Sequence, residues 1–340
     1  MKVSVDSCSA KLVPMILLAT AIAIACYLDL PTVVQGKTQD APTYSLGRYF
    51  LVASEGLYVV EADGHCSWSY NPTPYQGQGW VAYDDLVYDG WALPNDRFLY
   101  ATHRYVREVD RMKRTVWEYR VKGTAEVKTC VPIRDGRIAV LDSQEQAIME
   151  LESGTGKVLH TIPVPAKGNN HTRYNLLRLT PQGNYLVALR GENRFVELSR
   201  AGEVLNSFPV PSLPVMAQRL GDGSTLCSGQ FGLIKFDPAG RQTWSFTVAD
   251  AAPHFPLIIA AGFVELTDRR LLVVNSDWHY PKKDDNRVQL FALGPNKAIA
   301  WSLPSTAFQP WKRSEVEPRT GFVEHRCMVV QPLSSAMRGN

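Results

Sequence analysis

The chain has 340 residues, 45% hydrophobic and 10% aromatic, ample for one large packed domain or two ordinary ones. Its 36 Lys and Arg against 33 Asp and Glu leave a formal charge of +3, which argues against a dedicated nucleic-acid binder, since that needs a basic stripe. The densest basic run, His103 to Arg114, is interrupted by Glu108 and Asp110 and reads as a solvated strand pair rather than a polyanion site.

At the N-terminus, Lys2 and Lys11 precede an apolar run from Leu12 to Leu28, which Asp29 and Pro31 end. That run suits a secretory signal and is short for a membrane span. Residues 1–36 are therefore expected to be a signal peptide, with Val34-Gln35-Gly36 as the cleavage site, or else an N-terminal membrane anchor; Ala25-Cys26 offers a degenerate lipoprotein junction as a third outcome. The chain is expected to be exported, periplasmic or extracellular, and to touch a membrane only through this segment if it is retained. Residues 37–340 are expected to form a single domain. Its four cysteines, Cys66, Cys130, Cys227 and Cys327, contain no CxxC pair and are read as buried free thiols, with one disulfide as the alternative in an oxidising compartment.

Three strands are predicted next, at Arg48–Ala53, Leu57–Ala62 and His65–Tyr70. From here the chain repeats. Gly64 to Trp68 has counterparts at Lys113 to Trp117, Gly156 to His160, Gly202 to Asn206, Gly240 to Trp244 and Lys297 to Trp301, a unit of roughly 47 residues. An upstream turn recurs at Asn95-Asp96, Asp135-Gly136, Gln182-Gly183, Asp222-Gly223 and Asp268-Arg269. A third strand with an acidic or polar end recurs in "LYVVEADG", "YVREVDR", "AIMELESGTG", "RFVELSRAG", "LIKFDPAG" and "VQLFALGPN". Each unit reads as four short strands rich in Val, Leu, Phe, Tyr and Trp, and no amphipathic helix follows the leader.

One such sheet cannot bury both faces, whereas a ring of stacked sheets does. The prediction is an all-β, six-bladed β-propeller of four-stranded antiparallel blades, with seven blades as the alternative because residues 305–320 fit no unit. The first unit lacks an inner strand and the C-terminus holds a spare one, "GFVEHRCMVVQ". Phe322–Val330 is expected to close the ring as the innermost strand of the first blade.

The stretch "RLGDGSTLCSG…LIKFDPAGRQTWSF" resembles the quinoprotein-like (WD-like) repeats of secreted bacterial propellers, with their Leu-x-Asp/Asn-Gly turns and Asp-x-x-Gly-x-x-x-Trp endings. The resemblance spans roughly residues 45–304 and implies a fold rather than an activity. The quinone-dependent dehydrogenases of that group are much longer and often carry adjacent cysteines. This chain has no such pair, and no quinone or other cofactor is expected.

Strand order decides which loops share a face. The tight turns fall on one face and argue for structure only; "GDGSTL" is a hairpin turn there, not a phosphate loop. Linkers and second-to-third-strand loops, including "NPTPYQGQGWVAYDD", "PAKGNNHTRY", "VADAAPHFP" and "SDWHYPKKDDN", fall on the other, where binding residues concentrate. The expected ligand-binding face holds Trp80, Tyr83, Tyr88, His103, Arg173, Tyr174, His254, Trp278, His279 and Tyr280, with Tyr75 and Phe255 alongside. His103, His171, His254 and His279 come from different units and are read as separate surface residues, so no metal site is expected.

The leading expectation is a binding or scaffold module contacting a protein or glycan partner. The alternative is a propeller enzyme with a site at the channel mouth. "NNHTRYNLLRL" is similar to the propeller-type arylsulfotransferases, which would imply His171 as the catalytic histidine and Arg173, Asn175 and Arg178 as sulfate-holding groups; here Asn175 lies four residues after His171, where the family usually has two. His279 is the other catalytic candidate.

Overall fold

The turn that leads into the fourth strand of each unit sets the repeat. Its first residue has a positive φ in all six copies, at Gly64, Lys113, Gly156, Gly202, Gly240 and Lys297. Each N–H bonds back to a carbonyl three or four residues earlier, as Gly64 to Glu61, Lys113 to Asp110 and Gly240 to Asp237. Glycine adopts this conformation freely, whereas Lys113 and Lys297 hold it at ~1 kcal/mol each.

A computed structural model describes residues 47–72, 85–276, 287–304 and 327–333. The expected signal segment 1–36, the 305–320 segment and the start of the predicted closing strand lie outside these residues. Among the described residues, no helix is long and apolar enough to cross a membrane.

Six four-stranded antiparallel sheets make up the ring. Blade 1 holds β1 (Tyr49–Ala53), β2 (Gly56–Val60) and β3 (Cys66–Tyr70). Blade 2 holds β4 (Asp89–Leu93), β5 (Arg97–Ala101), β6 (Tyr105–Asp110) and β7 (Thr115–Arg120). Blade 3 holds β8 (Cys130–Ile133), β9 (Arg137–Asp142), β10 (Ala147–Glu152) and β11 (Val158–Pro163). Blade 4 holds β12 (Tyr174–Leu179), β13 (Tyr185–Leu189), β14 (Arg194–Leu198) and β15 (Val204–Pro209). Blade 5 holds β16 (Pro214–Arg219), β17 (Thr225–Gly229), β18 (Gly232–Phe236) and β19 (Gln242–Phe246). Blade 6 holds β20 (Ile259–Glu265), β21 (Leu271–Ser276), β22 (Val288–Leu293) and β23 (Ile299–Pro304).

The last strand, β24 (Cys327–Pro332), completes blade 1 in the order β24-β1-β2-β3. It runs antiparallel to β1, from Tyr49 opposite Pro332 to Ala53 opposite Cys327. The expected closure therefore holds, and six blades suffice. First strands neighbour one another around the ring. One departure from expectation is a single helical turn, α1 (Val248–Ala251), which Thr247 caps through a reciprocal pair of bonds with Asp250. The four cysteines are free thiols, and all but Cys66 are buried.

Blades are joined in two ways. The residue opposite the fourth-strand aromatic position is a buried acid in blades 2, 3 and 4: Glu108, Glu150 and Glu197. Glu108 accepts from Arg97 and Trp117 and, across the blade boundary, from Ser153. Glu150 accepts from Arg137 and, from blade 4, from Tyr185 and Arg200. Glu197 accepts from Asn184 and Asn206 and, from blade 5, from Arg219. In the other blades that position is Lys235, Ala292 and Val59, and packing takes over. Phe291 packs in tilted pairs with Phe246 and Phe255, ring centroids 5.9 and 5.0 Å away, and Trp68 stacks on Phe98 at 3.9 Å.

Candidate functional site

The linker face expected from strand order gathers four ionisable side chains at one place. The linker 121–129, between blades 2 and 3, is stitched to the β5–β6 turn by Val127 N–H to His103 O and Lys128 N–H to Thr102 O, both 2.9 Å. On its other side Glu126 N–H donates to Ser143 Oγ at 2.8 Å, and Ser143 N–H returns a bond to Glu126 O at 3.0 Å. Glu126 and Lys128 both reach this point, Lys128 from a tight turn in which Thr129 N–H bonds to Val127 O. The following linker delivers His171, held by a turn in which Asn169 Oδ1 accepts from Thr172 N–H at 2.9 Å and Asn170 Nδ2 donates to Thr124 at 3.1 Å.

The result is compact. Nδ1 of His171 lies 3.1 Å from Glu126 Oε2, and Lys128 Nζ lies 2.8 Å from the same oxygen. Nε2 of His103 is 3.9 Å from it, and the two imidazole centroids are 5.7 Å apart. Lys128 also donates to the His171 carbonyl, which Arg190 reaches at 3.4 Å. Exposure falls from 31% for the His171 side chain to 11% for Glu126, 5% for Lys128 and 0% for His103, so the cluster opens to solvent through His171. The Lys128 backbone has a φ of 37°, outside the ordinary L-residue regions. Unlike Lys113 and Lys297 it replaces no turn glycine, and unrepeated strain of this kind belongs to functional sites more than to scaffold.

Burial works against the charge of Glu126, but the His171 hydrogen bond and the Lys128 ammonium outweigh it and hold the carboxyl at about 2. Burial lowers the Lys128 ammonium to about 8 against the pull of Glu126, with Arg190 adding to the lowering. In the tautomer that donates a hydrogen bond from Nδ1 to Glu126, the acceptor atom of His171 is Nε2. The cluster can thus accept and donate hydrogen bonds at neutral pH, and its two imidazoles and one carboxylate form a set able to hold a cation.

Directly inward, a second polar group is purely structural. Both guanidinium nitrogens of Arg178 meet both oxygens of Asp89 at 2.9 Å, and Thr129 Oγ1 donates to Asp89 at 2.7 Å. This buried group ties the first strands of blades 2, 3 and 4 together, with Arg178 stacked over Trp91 at 5.2 Å.

The structure sorts the sequence-based candidates. His103 and His171, expected to be separate surface residues, are neighbours, and His103 is fully buried. Glu108, in the run read as solvated, is also buried, because it faces the blade 2–3 boundary. Tyr88 and Tyr174 lie on the expected face but are not exposed platforms: Tyr88 packs edge-on to His103 at 4.3 Å, and Tyr174 gives its hydroxyl to the Val164 carbonyl. Phe255 is buried against Phe291. Arg173 spends its guanidinium on the carbonyls of Ala166, Ser143 and Gly168, Arg178 on Asp89, and Asn175 on the Pro214 carbonyl. The sulfate-holding trio is therefore committed to the scaffold. His254 is exposed, at the end of α1 and away from the cluster. Trp80, Tyr83, Tyr75, Trp278, His279 and Tyr280 lie outside the described residues.

Glu126, Lys128 and Arg190 were not anticipated. The usable signal was position: Glu126 and Lys128 immediately precede a first strand, where linker-face residues come nearest the axis. The turn face is not featureless either; a cavity of about 200 Å³ opens there between blades 5 and 6, lined by Leu220, Leu226, Trp244 and Leu271.

No family model matches the chain, and no curated protein matches it. Solved structures do. A protein of unknown function from Bacteroides caccae aligns over 84% of this chain and 98% of its own, with a TM-score of 0.68 and 18% identity. A catalytically inactive histidine-to-alanine variant of virginiamycin B lyase from Staphylococcus aureus, with quinupristin, aligns over 76% and 84%, with a TM-score of 0.54 and 13% identity. A streptogramin B lyase aligns over 76% and 83%, with a TM-score of 0.53 and 11% identity. At these identities the likeness is one of fold, the β-propeller.

Proposed function

We propose that this chain is an exported propeller of the quinoprotein-like repeat type that works as a binding module, taking a protein or glycan partner on its linker face around His103, Glu126, Lys128 and His171. The observation that carries this reading is the convergence of four ionisable side chains, from the β5–β6 turn and two successive inter-blade linkers, at a partly open point. The scaffold does not require it, because Glu108, Glu150 and Glu197 fasten the same blades elsewhere and Asp89 with Arg178 ties their inner strands. A carboxylate, an ammonium and two imidazoles offer both donors and acceptors, which suits the hydroxyls of a sugar or the amides of a peptide loop. Export rests on the character of residues 1–36, and membrane contact on their retention.

The test is a glycan and peptide array probed with the purified chain and with His171→Ala and Glu126→Gln, in buffer containing EDTA. Retention of a defined probe, weakened ~10-fold or more by each substitution at unchanged melting temperature, is the expected result. No retention, or retention indifferent to both changes, overturns the reading.

A second reading, acid–base catalysis, is favoured by one contact. The 3.1 Å contact of His171 Nδ1 with Glu126 Oε2 orients the ring as a carboxylate orients a general-base histidine, and replacing a histidine inactivates the similarly folded virginiamycin B lyase. Turnover of quinupristin, followed chromatographically and abolished by His171→Ala, would support it; no turnover by the wild-type chain removes that substrate.

A further inference from the structure

We infer that His103, Glu126 and His171 form a binding site for a divalent transition-metal ion of the zinc class, held closed in the metal-free chain by the Lys128 ammonium. This deepens the reading of the linker-face cluster as the working site and rests on it.

Each of the three residues offers one ligand atom, and the three atoms all lie within 4.8 Å of one another. The separations from Glu126 Oε2 are 3.1 Å to His171 Nδ1 and 3.9 Å to His103 Nε2. A zinc ion ~2.0–2.2 Å from each donor places such donors about 3–4 Å apart, so the set needs only a small contraction. Two imidazole nitrogens and one carboxylate oxygen favour zinc-class ions over the all-oxygen preferences of calcium and magnesium. Three protein ligands are one fewer than a closed tetrahedral site holds, the count of zinc sites that bind a further ligand rather than purely structural ones.

The positions are held from behind. Tyr88 fixes the His103 ring, and main-chain bonds clamp the Glu126 segment on both sides. Lys128 is the unusual part. Its ammonium stands 2.8 Å from Glu126 Oε2, the oxygen both imidazoles approach. It supplies there the positive charge that a metal ion would supply, so ion and ammonium compete for one oxygen. Entry of the ion requires Lys128 to withdraw, and removing its charge should tighten binding.

The experiment is isothermal titration of zinc chloride into the EDTA-stripped, dialysed chain, with melting temperature recorded for each variant. One ion per chain is expected, weakened ~10-fold or more by His171→Ala and by Glu126→Gln, and tightened several-fold by Lys128→Met. His103 is fully buried, so its replacement tests folding as much as binding; the half-exposed His171 and the isosteric Glu126→Gln carry the test. No saturable binding up to millimolar zinc, affinity unmoved by both ligand substitutions, or affinity not raised by Lys128→Met overturns the inference. Array binding measured in EDTA stands apart from this result, so failure of the metal site and failure of the binding-module reading are distinguishable.

Discussion

Blades 2, 3 and 4 and blades 5, 6 and 1 are built from the same unit and joined by opposite means. In the first group a buried carboxylate at one third-strand position reaches across the blade boundary. In the second, that position is Lys235, Ala292 or Val59, and aromatic and aliphatic side chains make the joint in the largest apolar cluster among the described residues. The difference shows how a repeat fold tolerates divergence. Backbone turns keep the blades alike, while each seam needs only some complementary filling. The carboxylate-joined sector also carries the linker-face cluster, so polar chemistry is concentrated at both ends of the same three blades.

The contrast can be broken by point changes on either side. The largest effect is expected from Glu150→Ala, which strands Arg137, Arg200 and Tyr185 around a vacancy; a loss of ~3–5 kcal/mol in urea unfolding is expected. Phe291→Ala in the apolar sector should cost a similar ~3–5 kcal/mol through cavity formation. The two are separated by acid. Burial opposes the charge of Glu150, but the hydrogen bonds from Arg200 and Tyr185 and the charges of Arg200 and Arg137 prevail and lower its pKa; Glu197, facing Asn184, Asn206 and Arg219, is lowered likewise.

A carboxyl with a lowered folded pKa contributes stability that is present above its unfolded value and lost as pH falls through the folded one. Wild-type stability should therefore fall as pH drops below about 4.5. Phe291→Ala should retain this acid sensitivity and Glu150→Gln should lose part of it, as read from unfolding at pH 6 and pH 3. The smallest effect is a gain. Lys113→Gly, at a φ of 66°, should stabilise by ~0.5–1 kcal/mol in the same assay; a loss would show that the Lys113 side chain matters more than its backbone.

The fold was legible because its determinants are local. Gly240 and Trp244 announce a turn and a fourth strand within five residues, and the positive φ at every counterpart is the physical content of that pattern. Even the closing strand was legible, since blade 1 lacked a strand and the C-terminus had one to spare. The site was only half legible. The linker face followed from strand order, but Glu126 and Lys128 sit in "VKGTAEVKTC", which carries no motif. Their meeting with His103 depends on main-chain bonds to the β5–β6 turn, and with His171 on a side-chain contact across 45 residues of sequence. The same long-range packing buried Tyr88 and Tyr174, whose composition alone suggested open rings.

The pairing of β24 with β1 has a consequence for how the molecule is made. Leu333 N–H bonds to Arg48 O at 2.8 Å, joining early and late parts of the sequence. A chain emerging from synthesis can fold blades 2 to 6 one after another, since their strands are consecutive. Blade 1 must wait as an unfilled edge until Cys327–Pro332 arrives. The ring is thus a record of completion: a product truncated before Cys327 would keep an open seam and an unpaired β1, the kind of edge that other chains extend and that quality-control proteases find.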